Sequence, residues 1–328
     1  AIRELQGILE LLKKQGKTII IAEHRTWYLK KLVNRAIYME SGKIIREYSM
    51  AELALLTRQE QLRTGIRTVD LLRYPFAPQH ILPSTHILQL QNIRCFYKKT
   101  EVLTIPQLTI SSGQITAIIG ANGAGKSTFV SCLCGLLKQI KGTFQMDKKM
   151  QSKKERIKAS YLVMQEVNHQ LFSDSVQEEI VLGTKNFSND NLQLIMESLD
   201  ISDLSERHPM TLSGGQKQRV IIASAMFCGK RLLYFDEPTS GLDFSHMVQT
   251  CKLLKILQNK DTFIFIITHD YEMIASVCNS VIHIEKGKVE EQYILDADGI
   301  KKLKTFFTCA ISKKGNNTEV IPSDESSS

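Results

Sequence analysis

Long apolar runs, a signal sequence and paired cysteines are all missing from this sequence. None of its 328 residues belongs to a run approaching the roughly 18–20 apolar residues that cross a bilayer. The N-terminus has no charged start followed by an apolar core and a small-residue cleavage site. The seven cysteines are odd in number and show no CxxC spacing, which argues against a disulfide framework. We therefore expect a soluble or peripheral protein in a reducing compartment.

A strong excess of one charge is also missing from the main part of the chain. The net charge is +8, but residues 1–86 hold 14 basic and 8 acidic side chains, whereas residues 87–328 hold 28 and 26. A nucleic-acid-binding protein usually concentrates its basic excess on its main folded domain. The nearly neutral second part therefore predicts no nucleic-acid partner, and the 43% apolar content is enough for a packed core.

An internal repeat organises the sequence. His24, Asn34 and Glu40 recur 245 positions later as His269, Asn279 and Glu285, and the following Gly-Lys pairs recur at the same offset. In both copies an apolar run precedes the histidine, so Thr18–Ala22 is predicted to be a buried strand like Phe263–Ile267. We interpret residues 1–56, which begin within a helical pattern, as the C-terminal part of a domain whose complete copy follows.

The remaining boundaries follow from composition and periodicity. Residues 57–86 contain three prolines and weak apolar periodicity, which predicts a linker. Strands alternate with helical patterns over 87–300, which predicts an α/β domain with a largely parallel sheet. Residues 301–328 are predicted to be a C-terminal helix followed by a disordered polar tail.

A glycine-rich loop follows the apolar strand Gln114–Ile119. It reads Gly-Ala-Asn-Gly-Ala-Gly-Lys-Ser over 120–127 and leads into a helical pattern. Strand, glycine loop with Lys-Ser, and helix form the context of a nucleotide-phosphate site, where glycines let backbone N–H groups approach oxyanions. Lys126 is expected to reach the β- and γ-phosphates, and the Ser127 hydroxyl to bind Mg²⁺.

Two acidic residues end the apolar strand that begins at Leu232. Asp236 is predicted to hold Mg²⁺, since hard cations prefer carboxylate oxygen. Glu237 is predicted to take a proton from attacking water. His269 ends another apolar strand and has its counterpart in the first copy, which favours a hydrogen-bonding role at the γ-phosphate.

A second helix start could bind an anion. Ser213 is a good N-cap residue, and Gly214 and Gly215 leave the first N–H groups of the helix accessible.

Taken together, these motifs resemble those of the ATP-binding-cassette (ABC) ATPases. The matches are the loop 120–127, Ser213–Gln216 as the family signature, Asp236-Glu237, Ser240–Asp243 as the dimer-contact loop, and His269. The resemblance implies a P-loop core with a helical signature subdomain and an antiparallel β subdomain. It implies Glu237, His269 and Gln165 as catalytic residues and Ser127, Gln165 and Asp236 as Mg²⁺ ligands. It also implies an ATP site that comprises Tyr97, Gly120, Asn122, Gly123, Gly125, Lys126, Ser127, Thr128, Ser213, Gly214, Gly215, Gln216 and Asp243.

In this family two cassettes close head-to-tail around two ATP molecules. The resemblance therefore implies that Ser213 and Gly215 serve the ATP held by an opposing cassette, on the same full-length chain or on another copy.

The branch of the family is indicated by two stretches. Gln165–Phe172 and Ser175–Ile180 are similar to segments of energy-coupling-factor importers, which take up vitamins or metal ions. This implies peripheral attachment at the cytoplasmic face of the membrane, with an integral membrane subunit and a substrate-capturing membrane protein as partners. Two alternatives stay open: a soluble cassette ATPase acting on ribosomes or DNA, and a chain that binds ATP without hydrolysing it.

Overall fold

The computed structural model describes residues 2–77, 81–165, 170–184 and 188–312. The helices are α1 Ile2–Lys14, α2 Met50–Ala54, α3 Arg58–Thr64, α4 Lys126–Leu133, α5 Lys153–Ala159, α6 Val176–Val181, α7 Asn189–Ser198, α8 Gly214–Phe227, α9 Phe244–Leu257, α10 Tyr271–Val277 and α11 Ala297–Ser312. The strands are β1 Ala36–Glu40, β2 Lys43–Tyr48, β3 Ile87–Tyr97, β4 Thr100–Ser111, β5 Gln114–Ile119, β6 Ile140–Met146, β7 Lys149–Met150, β8 Ser160–Val163, β9 Leu232–Asp236, β10 Phe263–Ile267, β11 Ser280–Glu285 and β12 Lys288–Ile294.

Ten strands form one mixed sheet in the order β7-β6-β3-β4-β12-β11-β5-β10-β9-β8. Strands β11, β5, β10, β9 and β8 pair in parallel. Strands β3, β4, β6 and β7 pair antiparallel on the other side of the sheet. The predicted α/β class with an added antiparallel β part is therefore confirmed.

The central strands are buried on both faces, as expected of parallel strands covered by helices. In β10, Phe263, Phe265 and Ile267 pack into one apolar cluster with α4 and β3, while Ile264 and Ile266 pack into another with α8, α9 and α10. This strand has no exposed residue, which explains its uninterrupted apolar sequence.

Helices α6, α7 and α8 pack together beside the sheet. Val176, Ile180, Leu192, Ile195 and Val220 from these helices are buried in one cluster. The predicted helical subdomain therefore packs on the middle and C-terminal part of α8 and leaves its start exposed.

The internal repeat is visible in the backbone. The hairpin β1–β2 pairs Ala36 with Tyr48 and has a bulge after Tyr38, and the hairpin β11–β12 pairs Val281 with Tyr293 and has a bulge after His283. All of these positions differ by 245, and both turns use two successive residues with positive φ. Because bulge positions are conserved within families, this agreement in backbone geometry adds to the residue matches that support the repeat.

The prediction of a strand at 18–22 is wrong. Ile20 is 92% exposed, and the run belongs to no strand. Its counterpart β10 lies between β5 and β9, whose hydrogen bonds complete its ladder. Within the described residues, β5 and β9 are the only strands of this kind, and β10 lies between them. The run 18–22 therefore has no strand with which to pair.

The segment 57–86 is more structured than its composition predicts. It forms α3, capped by Thr57 and ended by Gly65, and then buries Leu71 and Tyr74 in the main core. Pro75 lies within this packed part, since Phe76 contacts Tyr271, while Pro78 lies outside the described residues. The C-terminal helix begins at Ala297, slightly before the predicted 301, while the predicted disordered tail from 313 lies outside the described residues.

Within the described ranges, no helix combines the length and the apolar character that crossing a membrane requires.

Candidate functional site

The predicted phosphate loop leaves the carboxyl end of β5 and enters α4. Gly120 has a φ of +151°, and a Cβ there would lie 2.1 Å from the carbonyl oxygen of Ile284. Gly125 has a φ of +105° and immediately precedes α4. Both positions require glycine, and the loop they form leaves the start of α4 facing outward, as an anion-binding helix start requires.

The Lys126 side chain folds over this loop. Its ammonium donates hydrogen bonds to the carbonyls of Gly120 at 2.9 Å and Ala121 at 3.0 Å. Burial lowers the pKa of Lys126, and the carboxylates of Glu237 and Asp236 oppose that change. A buried cation on a glycine loop with open space around Gly123 fits a triphosphate.

Asp236 is the last residue of β9 and Glu237 follows it; β9 lies two strands from β5. Burial raises the pKa of both Asp236 and Glu237, and the Lys126 charge opposes this at both. Glu237 leaves the strand with a φ of +47°, an uncommon conformation for a residue with a side chain. Its carboxylate is only 14% exposed. A buried carboxylate beside the phosphate loop is placed as a general base requires.

His269 follows β10, the strand between β5 and β9. Its Nε2 lies 3.9 Å from Glu237 Oε1. Burial, with the positive charges of Lys126 and Arg25, lowers the pKa of His269 to about 4. At neutral pH the imidazole is therefore uncharged, and it can donate or accept a hydrogen bond.

Four predicted site residues thus lie at one edge of the sheet, each after one of four adjacent parallel strands. Lys126 comes after β5, His269 after β10, Glu237 after β9, and Gln165 after β8. Ligands of open α/β sheets bind at this carboxyl edge.

A buried ionic cluster lies directly behind His269. Arg67, 0% exposed, donates hydrogen bonds to Asp270 at 2.6 Å and Glu272 at 3.2 Å. Thr239 donates to the same Asp270 at 2.8 Å. Burial tends to raise the pKa of Asp270, but Arg67 and Arg25 hold it below its usual value, whereas burial and Asp270 raise the pKa of Glu272 to about 7. The segment 57–77 is thereby joined to the element that carries His269.

The signature motif forms a solvent-exposed helix start. Ser213 accepts a hydrogen bond from the Gln216 N–H at 3.3 Å, and the Gln216 side chain accepts one from the Ser213 N–H at 2.9 Å. A Cβ added at Gly214 would meet nothing within 4 Å. Gln216 is thus engaged in capping its own helix, and the open surface is at Ser213 and Gly214.

The dimer-contact loop packs against the segment 57–77 of the same chain. Asp243 caps α9 by accepting from the His246 N–H at 2.8 Å, and it lies against Gly65. The Leu242 carbonyl accepts a hydrogen bond from Arg67 Nε at 3.1 Å. In this structure Asp243 therefore acts as a helix cap.

The other predicted residues lie at the surface of the site. Tyr97 ends β3 and is 71% exposed, as a platform for an adenine ring would be. Ser127 and Thr128 occupy the first turn of α4, and Asn122 is exposed on the loop. Gln165 is exposed, and residues 166–169, which carry part of the importer-like stretch, lie outside the described residues.

Sequence reasoning missed three polar residues around the site. Arg25 lies 3.6 Å from Glu237, and Arg67 holds Asp270. Gln218 donates from the signature helix to the Pro238 carbonyl at 3.0 Å. Only Gln218 could have been found from the sequence, because it lies within the signature helix. The two arginines reach the site through contacts between residues that are far apart in sequence.

Comparison with known proteins gives a consistent result. Residues 103–240 match the ABC transporter family. A putative ABC transporter ATP-binding protein of Treponema denticola is 38% identical over 298 residues, which are 89% of this chain and 61% of that protein. The chain spans about three fifths of the length of the curated relatives that it matches first.

Two further matches concern smaller proteins. The solved structure of cbiO1 from Clostridium perfringens, described as part of the ABC transporter complex cbiONQ, superimposes with a TM-score of 0.58 at 27% identity, over 68% of this chain and 94% of that one. The energy-coupling factor transporter ATP-binding protein EcfA2 of Mycoplasma pneumoniae is 31% identical over 62% of this chain and 74% of its own length. The chain belongs to the ABC transporter family.

Proposed function

We propose that this chain binds ATP with Mg²⁺ at the carboxyl edge of β5, β10 and β9 and hydrolyses it. The observation that carries the proposal is the arrangement of Lys126, Glu237 and His269, which reach one edge from three adjacent parallel strands. Bound Mg²⁺-ATP supplies the phosphoryl group that water attacks and the cation that offsets its charge.

The charge and position of each residue determine its proposed role in ATP binding and hydrolysis. Lys126 and the N–H groups of the loop hold the phosphates, and Ser127, Asp236 and Gln165 provide oxygens for the cation. Glu237 accepts the proton of the attacking water, and the neutral His269 hydrogen-bonds at the γ-phosphate. Ser213 and Gly215, with the exposed Gly214 between them, contact an ATP held by an opposing cassette. The groups that offset the phosphate charge are therefore complete only when the two cassettes close.

We further propose that hydrolysis powers an importer of the energy-coupling-factor type. The EcfA2 and cbiO1 relatives support this assignment, as do the importer-like stretches of the sequence. The proposal places the protein at the cytoplasmic face of a membrane, with an integral membrane subunit and a substrate-capturing membrane protein. It divides the chain into part of a first cassette at 1–56, the connecting segment 57–86, and a complete cassette at 87–300.

The decisive experiment compares Glu237→Gln with Lys126→Ala in the full protein. We expect Glu237→Gln to bind a fluorescent ATP analogue normally and to lose at least about 10²-fold in turnover, because only proton transfer is removed. Lys126→Ala should lose binding itself. Near-normal turnover of Glu237→Gln would contradict the general-base assignment, and normal ATP binding by Lys126→Ala would contradict the phosphate site.

The importer assignment has a separate test. The full protein should co-purify from membranes with integral membrane proteins that stimulate its ATP hydrolysis. Stimulation by ribosomes or DNA in place of membrane proteins would overturn it.

A further inference from the structure

The guanidinium of Arg25 lies against the carboxylate proposed as general base, although the two residues are 212 positions apart. Arg25 Nη2 is 3.6 Å from Glu237 Oε2, and the side chains are 22% and 14% exposed. The other oxygen, Oε1, lies 3.9 Å from His269 Nε2. Each oxygen of the Glu237 carboxylate therefore has its own neighbour, one cationic and one uncharged.

Both atoms of the Arg25–Glu237 contact are buried and lack another partner. Arg25 Nη2 and Glu237 Oε2 are among the buried side-chain atoms for which the described residues supply no hydrogen bond. An unpaired buried charge is costly, so each group depends on the other for compensation. The separation exceeds hydrogen-bond length, so the attraction is between charges and acts on the orientation of the carboxylate.

Arg25 is itself held in place by its neighbours. The Glu23 carboxylate accepts hydrogen bonds from the N–H groups of His24 and Arg25, each at 2.9 Å. The Thr26 hydroxyl donates to the carbonyl of Arg67, whose side chain is locked to Asp270. The arginine thus projects from a fixed backbone, as a residue that positions another group must.

The repeat shows that the charge at this position differs between the copies. Arg25 follows His24 as Asp270 follows His269, at the same offset of 245. Asp270 is buried against Arg67 of the connecting segment and Thr239 of its own copy. Arg25 instead reaches the acidic strand end of the other copy. The equivalent position therefore contacts the other copy in one case, and the connecting segment and its own copy in the other.

We propose that Arg25 is a positioning residue that orients the Glu237 carboxylate from the neighbouring repeat. This inference rests on the proposed function of Glu237. It links hydrolysis in the complete cassette to the docking of residues 1–56, while leaving the phosphate loop and its ATP affinity unaffected. The charged groups that surround Glu237 are Arg25, Asp236, Asp270 and Lys126, and the titratable but uncharged His269 lies beside it.

A double-mutant cycle in the full protein separates positioning from a general structural role. Arg25→Met should lower single-turnover ATP hydrolysis by about tenfold, with an unchanged Kd for a non-hydrolysable fluorescent ATP analogue. Arg25→Lys should recover part of the rate, because it restores the charge. In the Glu237→Gln background, Arg25→Met should cause no further loss, since the group on which it acts is gone.

The matched control is Arg35→Met, at an arginine that is 65% exposed and paired with Glu47 in the same N-terminal segment. It should keep the normal rate. A full additional tenfold loss in the Glu237→Gln background, or a normal rate of Arg25→Met alone, would overturn the positioning role. Normal turnover of Glu237→Gln by itself would instead overturn the proposed function, so the two failures are distinguishable.

Discussion

His269 illustrates how surroundings decide the chemistry of a single residue. Burial and the nearby Lys126 and Arg25 charges lower its pKa to about 4, from an ordinary value near 6.5. Between these two values the unfolded chain binds a proton at this residue and the folded chain does not. This residue therefore makes the folded state less stable as pH falls from about 6.5 to about 4, and has no such effect above 6.5.

We predict that an NMR titration will show the His269 imidazole neutral from pH 8 down to about 5. Assignment by comparison with His269→Gln identifies its resonance, and the urea-unfolded protein provides the reference midpoint. A midpoint in the folded protein equal to that of the unfolded protein would contradict the burial and charge environment described above.

The position of a site residue could be predicted where it depends only on the strand and loop next to that residue in sequence. Lys126 follows β5 and its glycine loop, and Asp236 and Glu237 stand at the end of β9, so their place at a sheet edge could be inferred from strand and loop patterns. Arg25 could not be inferred in this way. Its contact with Glu237 depends on how residues 1–56 pack on a domain whose strands lie far away in the chain.

At the scale of elements, the segment 57–77 behaves as part of the cassette. Arg67 neutralises Asp270 and Glu272 in the interior and also donates to the Leu242 carbonyl of the dimer-contact loop. Thr68 N–H donates to Glu272 at 3.0 Å. The segment thus connects the loop after β9 with the helix after His269.

We predict that Arg67→Met lowers the free energy of unfolding by about 3–5 kcal/mol, because it leaves two buried carboxylates without their cation. Adding Glu272→Gln should recover part of this loss by removing one of the two charges. Arg35→Met removes an exposed ion pair and should cost no more than about 1 kcal/mol. Urea unfolding measures all three; a loss below about 1 kcal/mol for Arg67→Met would refute the buried-charge account.

Elements were predictable to the extent that their partners are near in sequence. The hairpins β1–β2 and β11–β12 carry their own turn residues and form as the repeat predicts. The run 18–22 has the composition of a strand. Strand formation also requires adjacent strands for hydrogen bonding, and composition does not indicate whether these are present. The segment 57–77 has little periodicity because its burial rests on a few side chains, Arg67 above all.

At the scale of the whole molecule, the two motifs of the proposed ATP site have different surroundings. Lys126 and Glu237 are buried within one cassette, whereas Ser213 and Gly214 form an exposed helix start. This asymmetry is expected if the signature motif serves an ATP held elsewhere. It also means that the helix start can be altered without disturbing the fold, since a Cβ at Gly214 meets nothing within 4 Å.

We predict that Gly214→Asp keeps the fold and the ATP affinity of the chain but lowers hydrolysis by at least about tenfold. A carboxylate in the first turn of α8 is favourable for the helix itself, so stability should not fall. The same carboxylate would repel the triphosphate of an opposing cassette and prevent closure.

The matched control for this charge is Asn189→Asp. It adds the same negative charge to the exposed first turn of α7 and should leave hydrolysis unchanged. Analogue binding, thermal unfolding and steady-state hydrolysis, measured on all three proteins, separate the outcomes. Unchanged hydrolysis in Gly214→Asp would show that no triphosphate approaches this helix, and the head-to-tail arrangement would have to be abandoned. Lost analogue binding would show that the signature motif contributes to ATP affinity before closure, which the separation of the two motifs argues against.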